Sequence, residues 1–273
     1  MTTRALPTLF ISHGGGPWPW MSGPMRGAHN QLAAALQEIP QLVGTSPKAI
    51  LVISAHWEEP EFTVMAHPNP PMIYDYSGFP EHTYRVEYAA PGAPDLAEHI
   101  RRLLEDAGIT TVMDSTRGFD HGVYAPMSVI YPLANLPVLQ LSLKAGLDAV
   151  EHLAAGRALT TLRESGVLII GSGSSSHNLG LMGRPEARQP LAAFDAWLQR
   201  TLVGATSEDR DAALSLWEAA PGARQAHPRE EHLLPLMVAA GAARHEPGVR
   251  VYHEDLFFNT GDLSSYMFGE SSR

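Results

Sequence analysis

The chain has 273 residues, of which 44% are hydrophobic, so it is long enough to bury a substantial core and is neither disordered nor fibrous. Its 19 basic and 29 acidic residues give a formal net charge of −10, which argues against nucleic acid or an anionic membrane as the main partner and favours small ligands. Cysteine is absent, which excludes disulfides and thiolate chemistry, whereas 13 histidines remain as metal ligands and proton carriers.

Short apolar runs alternate along the chain with segments of helical periodicity, a pattern typical of an α/β domain with a mostly parallel sheet. In chain order, strands are predicted at residues 8–12, 49–54, 62–66, 110–113, 138–143, 167–171 and 249–253. Helices are predicted at residues 29–39, 95–107, 147–165, 189–202, 208–219 and 235–242. No linker or repeat divides the sequence, so we expect residues 1–273 to form a single domain.

The first residues carry no signal-peptide pattern, and no run approaches the roughly eighteen apolar residues that a membrane helix needs. We therefore expect a soluble cytoplasmic protein, either a monomer or a small homo-oligomer, without nucleic-acid or membrane partners.

The segment at residues 69–94 holds no convincing long element. It carries five prolines and the aromatic residues Tyr74, Tyr76, Phe79, Tyr84 and Tyr88. A long loop of this kind in a compact domain is usually functional, so it is predicted to form a lid or a pocket wall.

Three histidines follow apolar strands almost immediately: His13, His56 and His177. Ligands of open α/β sheets bind at the carboxyl ends of strands, so these side chains are expected to converge on one crevice. Small residues at 14–16 and 171–176 would let the backbone approach the site closely.

A fourth candidate is His232, which the prolines at 228 and 235 place just before or at a helix start. His227 competes with it and is a further candidate for substrate contact. Glu231 is a candidate carboxylate ligand, although a favourable charge at a helix N-terminus is the more economical interpretation.

A fifth candidate is His121, which follows Asp120 and has glycines on either side of the pair. This pattern predicts an irregular loop ahead of a helix that starts near Pro126. Such loops concentrate functional residues, so His121 is interpreted as a proton-transfer or substrate-contact residue, with a solvent-exposed turn histidine as the alternative.

Other chemistries fit the sequence less well. The glycine-rich turns match neither nucleotide-binding motif, and no G-x-S-x-G element accompanies the serines before His177. A metal bound by His13, His56 and His232 could activate water, as in a zinc hydrolase, or could be iron(II) with open positions for an organic ligand and oxygen. Residue types alone leave both open.

Six segments together resemble the class III, LigB-like extradiol ring-cleavage dioxygenases, and among them the DOPA dioxygenase branch. They are LFISHG at 9–14, ISAHWE at 53–58, IYDYSGFP at 73–80, GFDHGVYAP at 118–126, GSGSSSHN at 171–178 and HPREEHLLP at 227–235. These segments run in family order over nearly the whole chain.

The resemblance implies a three-layer α/β sandwich with a central mixed, mostly parallel sheet. It also implies one divalent metal, Fe(II) for activity or Zn(II) as isolated, and opening of a catechol-type aromatic diol by O2. By motif, His13, His56 and His232 resemble the metal ligands, and His177 resembles either a fourth ligand or the acid/base. His121 resembles a residue that contacts substrate or oxygen, and the tyrosine-rich segment with Tyr74 resembles a pocket wall.

The chain departs from the family after its first strand, where it reads GGGPWPW at residues 14–20. Indoles such as Trp18 near the first ligand could contact an aromatic substrate, so DOPA itself is not carried over as the substrate. A zinc-dependent hydrolase and a non-enzymatic metal or aromatic-binding protein are the alternative functions.

Overall fold

The computed structural model describes residues 5–269, in which eight strands form one mixed sheet. The strands are β1 (Thr8–Ser12), β2 (Ala49–Glu59), β3 (Phe62–Met65), β4 (Thr111–Asp114), β5 (Val138–Lys144), β6 (Val167–Gly173), β7 (Gly248–Phe257) and β8 (Gly261–Phe268). Their order across the sheet is β4-β3-β5-β2-β6-β1-β8-β7. The four central strands β5, β2, β6 and β1 are mutually parallel, so their carboxyl ends meet at one edge.

Helices cover both faces of this sheet. They are α1 (Gly23–Ala28), α2 (Asn30–Val43), α3 (Pro94–Asp106), α4 (His121–Ile130), α5 (Ala149–Ala158), α6 (Arg188–Gln199), α7 (Ser207–Ser215), α8 (Ala223–Ala226) and α9 (Leu234–Ala243). Within residues 5–269, none of the helices has the length and hydropathy that crossing a membrane requires.

Side chains of the central strands alternate between two hydrophobic cores. In β2, Leu51 and Ile53 pack with α3, α5, α6 and α9, whereas Ile50 and Val52 pack with α2 and α4 on the opposite face. Because a buried parallel sheet exposes neither face, its strands are apolar at successive positions rather than at alternate ones. The predicted α/β sandwich with a central, mostly parallel sheet is confirmed.

One prediction about the elements was wrong, and one strand was missed. The helix expected to start near Pro126 begins at His121, with Asp120 as its N-cap, and Pro126 lies inside it. The strand β8 was not predicted, because buried serines at 264 and 265 interrupt the apolar pattern by which a strand is recognised.

Candidate active site

Five histidines line one cavity at the carboxyl edge of the sheet: His13, His56, His121, His177 and His232. His13 follows β1, His56 lies in β2 and His177 follows β6. These three strands are neighbours in the sheet. The predicted convergence of the histidines that follow the strands is therefore confirmed.

Three of the rings form a nearly equilateral triangle. Ring centroids lie 4.9 Å apart for His13 and His56, 5.2 Å for His13 and His232, and 4.9 Å for His56 and His232. Imidazoles bound to one ion at about 2.0–2.1 Å place their centroids about 4.5–5.2 Å apart. The spacing of these three rings therefore fits a shared metal ion.

The hydrogen bonds of the outer ring nitrogens direct lone pairs inward. Nδ1 of His232 lies 3.0 Å from a carboxylate oxygen of Glu231, and Nδ1 of His13 lies 3.2 Å from the Ser172 hydroxyl oxygen. Both partners accept a proton donated from Nδ1, so Nε2 of each ring is left with its lone pair free.

Asp75 orders two more imidazoles with a single carboxylate. Its Oδ1 accepts a hydrogen bond from Nδ1 of His121 at 2.8 Å, and its Oδ2 lies 3.5 Å from Nδ1 of His56. Nε2 of His56 then faces Nε2 of His13 at 3.2 Å. Two lone pairs so close repel each other unless a cation lies between them, so the donor set of the site fits a divalent metal.

The proline inside α4 explains why Ser172 can accept from His13. Pro126 has no N–H, so the carbonyl of Gly122 loses its usual helical donor. The Ser172 hydroxyl donates to that carbonyl instead. With its proton committed there, the hydroxyl oxygen accepts from Nδ1 of His13. The proline in the helix thereby fixes the orientation of a histidine on another element.

Burial keeps these imidazoles neutral. It lowers the pKa of His13 and of His232 well below the usual value, and the neighbouring imidazoles lower it further. Burial likewise lowers the pKa of His56 to about 3 and lowers the pKa of His177, which the Glu231 carboxylate partly offsets. Neutral imidazole is the form that binds metal ions and accepts protons.

Two groups in the described part of the chain have ligand atoms all within 4.8 Å of one another. One group is His13, His56 and His121, and the other is His177, Glu231 and His232. The ring nitrogens of His121 thus lie close enough to those of His13 and His56 for the three to share an ion. The ring centroid of His121, however, lies only 4.0 Å from that of His56 and 5.5 Å from that of His13. This triangle is less regular than the one completed by His232.

His177 lies face to face with His232, with centroids 3.4 Å apart and ring planes 11° apart. Its Nδ1 faces Glu231 at 3.7 Å, which leaves Nε2 as the proton acceptor. His232 lies just before α9, as the flanking prolines predicted.

The structure places three predicted substrate contacts away from the cavity lining. Trp18 is fully buried, where its indole N–H donates to the His13 carbonyl at 2.7 Å and its ring stacks on His29. It lies behind Gly14, where φ is +80° and a Cβ would come within 2.4 Å of the indole nitrogen. Trp18 therefore supports the backbone of His13 rather than the substrate.

Tyr74 and His227 are also held elsewhere by hydrogen bonds. The Tyr74 hydroxyl donates to the Val86 carbonyl at 2.9 Å, and Nε2 of the fully buried His227 donates to the Ser175 carbonyl at 3.0 Å. The expectation that these residues contact substrate is not carried further, since neither side chain lines the cavity.

The tyrosine-rich loop does form part of the cavity wall, as predicted, but through other residues. Tyr76 and Phe79 line the cavity, and the Tyr76 ring lies 5.8 Å from that of His121. Asp75, between Tyr74 and Tyr76, was missed by the sequence analysis, although it lies in a segment that carries the family resemblance. An acidic residue amid pocket-wall aromatics was the available signal.

Comparisons with known proteins identify the family of this chain. Residues 7–269 match the family model described as the catalytic LigB subunit of aromatic ring-opening dioxygenase. The chain is 38% identical over 267 residues to a 4,5-DOPA dioxygenase extradiol of Beta vulgaris, covering 96% of each chain. It is 30% identical over 245 residues to a protein of the same name from Escherichia coli strain K12, covering 89% of this chain and 87% of the other.

A solved structure has the same fold. The crystal structure of an uncharacterized protein from Escherichia coli K12 matches with a TM-score of 0.78 and 27% sequence identity. The match covers 97% of this chain and 100% of the other. The relatives and the solved structure therefore each match this chain over most of its length.

Proposed function

Because the chain belongs to the LigB family of aromatic ring-opening dioxygenases and is an oxidoreductase of the extradiol ring-cleaving class, we propose that its five-histidine site opens the ring of a catechol with O2. The observation that carries the proposal is the regular triangle of His13, His56 and His232, whose ring spacing suits one ion. These three residues are the proposed metal ligands.

A divalent metal held by His13, His56 and His232 would supply a Lewis-acidic centre for a catechol and dioxygen. Fe(II) is the metal we propose for activity, and Zn(II) is the ion we expect in the protein as isolated, because neutral imidazole suits both. The protein's own side chains carry out the remaining steps.

His177 is proposed as the acid/base. The lone pair of an imidazole nitrogen lies in the ring plane, and two nearly parallel planes 3.4 Å apart do not meet near the rings. The in-plane lone pairs of the two rings therefore do not converge on one point, which argues against His177 as a fourth ligand. Its neutral Nε2 instead accepts a proton from a catechol hydroxyl.

His121 is proposed as the substrate contact. Its Nδ1 is committed to Asp75, so Nε2 is the atom that faces the cavity and accepts a hydrogen bond from a catechol hydroxyl. The apolar wall that includes Tyr76 and Phe79 excludes water from the reacting ring and packs against its face.

Anaerobic loading with Fe(II), followed by oxygen and a panel of catechols, tests the proposal. We expect O2 uptake matched by a yellow ring-opened semialdehyde. Turnover that proceeds equally well under argon would instead indicate a hydrolase, and saturable catechol binding without O2 uptake would indicate a binding protein.

The ligands are tested separately from turnover. His13→Ala, His56→Ala and His232→Ala are each expected to abolish metal binding, measured by elemental analysis. His99→Ala, on the exposed surface of α3, is the matched control and should retain the metal. Full metal occupancy in any of the three ligand variants contradicts that assignment.

A further inference from the structure

The cavity above the histidines is large and mostly apolar. Its volume is about 500 Å³, which exceeds the space that an unsubstituted catechol ring requires. Beyond the histidines, the walls are formed largely by the side chains of Met25, Tyr76, Phe79, Leu179, Met182, Leu191, Phe257, Phe258 and Leu263. A substrate that fills this space carries an apolar arm on its ring.

A single acidic side chain lines the part of the cavity that the structure describes. Among the described residues that line it, Asp262 is the only one with a side chain that is ordinarily charged at neutral pH, and none is lysine or arginine. Asp262 lies at the start of β8 and lines the cavity. A substrate carboxylate would therefore meet no cation in this wall.

The arginine whose charge acts on Asp262 is already paired. Arg250 donates to Asp195 at 3.2 Å, and the ring of His253 also lies 3.7 Å from that carboxylate. Asp262 has no ion-pair partner among residues 5–269. Burial raises its pKa, the negative charge of Asp195 raises it further, and His253 and Arg250 partly offset that rise. The Asp262 carboxylate is thus a partly buried negative group that forms no ion pair of its own within the described residues.

We propose that the substrate is a catechol whose apolar arm ends in a cationic amine, which Asp262 binds, and that a carboxylate on this arm is disfavoured. The inference rests on the proposed function, because it places the catechol ring at the histidines. A bound ammonium group would give Asp262 an ion-pair partner, whereas a carboxylate would be buried beside a like charge.

Anaerobic calorimetric titration of the metal-loaded protein tests the proposal without requiring turnover. The ligands are dopamine, ethylcatechol, dihydroxyphenylpropionate and DOPA, which share the ring and differ in the charge of the arm. We expect dopamine to bind at least about tenfold more tightly than dihydroxyphenylpropionate, with ethylcatechol between them and DOPA weaker than dopamine.

Asp262→Asn should reduce the advantage of dopamine over ethylcatechol by about tenfold. The matched control is Asp255→Asn, which removes the same charge from an exposed position nearby and should leave that advantage in place. Equal or tighter binding of the propionate or of DOPA overturns the proposal, as does an unchanged dopamine advantage in Asp262→Asn.

Admission of oxygen to the same samples separates this inference from the function on which it rests. Charge-dependent binding without O2 uptake supports the assignment of Asp262 and contradicts the dioxygenase reaction. O2 uptake with all four ligands at equal affinity supports the reaction and overturns the assignment of Asp262.

Discussion

The imidazole of His177 stacks on that of His232, with centroids 3.4 Å apart and planes inclined by only 11°. Rings so nearly parallel cannot both direct in-plane lone pairs at one ion. The stacking therefore supports the proposal that His232 binds the metal while His177 acts as the acid/base.

We predict that His177→Ala keeps its metal but loses ring opening by about 10²–10⁴-fold, the usual contribution of a general acid or base. Elemental analysis and O2 uptake on the same sample measure the two effects. Loss of the metal together with activity would show instead that His177 is a ligand.

Asp75→Asn is predicted to weaken metal binding by about 10–100-fold. An amide offers one accepting oxygen and one donating nitrogen, so it cannot accept from Nδ1 of both His56 and His121. One of the rings must then change its tautomer and lose its inward lone pair. Competition with a chelator measures the affinity, and Asp106→Asn, on the exposed end of α3, is the control.

Ser172→Ala is predicted to weaken metal binding by a similar factor of about 10–100, because Nδ1 of His13 loses its acceptor. Adding Pro126→Ala restores a backbone N–H opposite the Gly122 carbonyl. The double variant should therefore regain about 1 kcal/mol of unfolding free energy without regaining metal affinity. Recovery of both stability and metal affinity would show that metal binding by His13 does not depend on these hydrogen bonds.

Gly173→Ala is predicted to lower both stability and metal affinity. A Cβ at this position would lie 2.1 Å from the carbonyl oxygen of His232, so the segment before α9 must move away from the sheet. We expect a loss of about 1–3 kcal/mol in unfolding free energy. Gly27→Ala, whose Cβ would meet open space in α1, is the control. Its unfolding free energy should be at least as high as that of the wild type.

His152 is predicted to make the protein less stable in acid. Its Nε2 accepts from the Lys144 N–H at 3.2 Å and its Nδ1 donates to the Asp148 carbonyl at 2.7 Å, so the site requires a neutral ring. Burial lowers its pKa from 6.5 to about 4. The native pKa lies below the unfolded one, so this contribution is complete above about pH 6.5 and is lost as the pH falls towards about 4.

The shift corresponds to at most about 3 kcal/mol of unfolding free energy. Urea unfolding across this pH range, compared between the wild type and His152→Gln, isolates it. The variant should show a shallower decline with acid. Equal slopes in the two proteins would mean that His152 does not titrate in this way.

The sequence alone determined the layered fold and most of its elements. Apolar β-branched runs such as β6 are visible as strands because a parallel sheet buries both faces. The same pattern located three of the five cavity histidines, because adjacent parallel strands end at one edge. Resemblance to a known family then supplied the reaction class, which the comparisons confirm.

Only the tertiary structure decided how each histidine is oriented. The tautomers depend on Asp75, Glu231 and Ser172, which approach the rings from other parts of the chain. The stacking of His177 and the burial of Trp18 away from the cavity likewise depend on packing between distant elements. A local pattern records which face of a strand or helix is buried, but a lone pair is directed by contacts between residues far apart in sequence, and those exist only once the chain has folded.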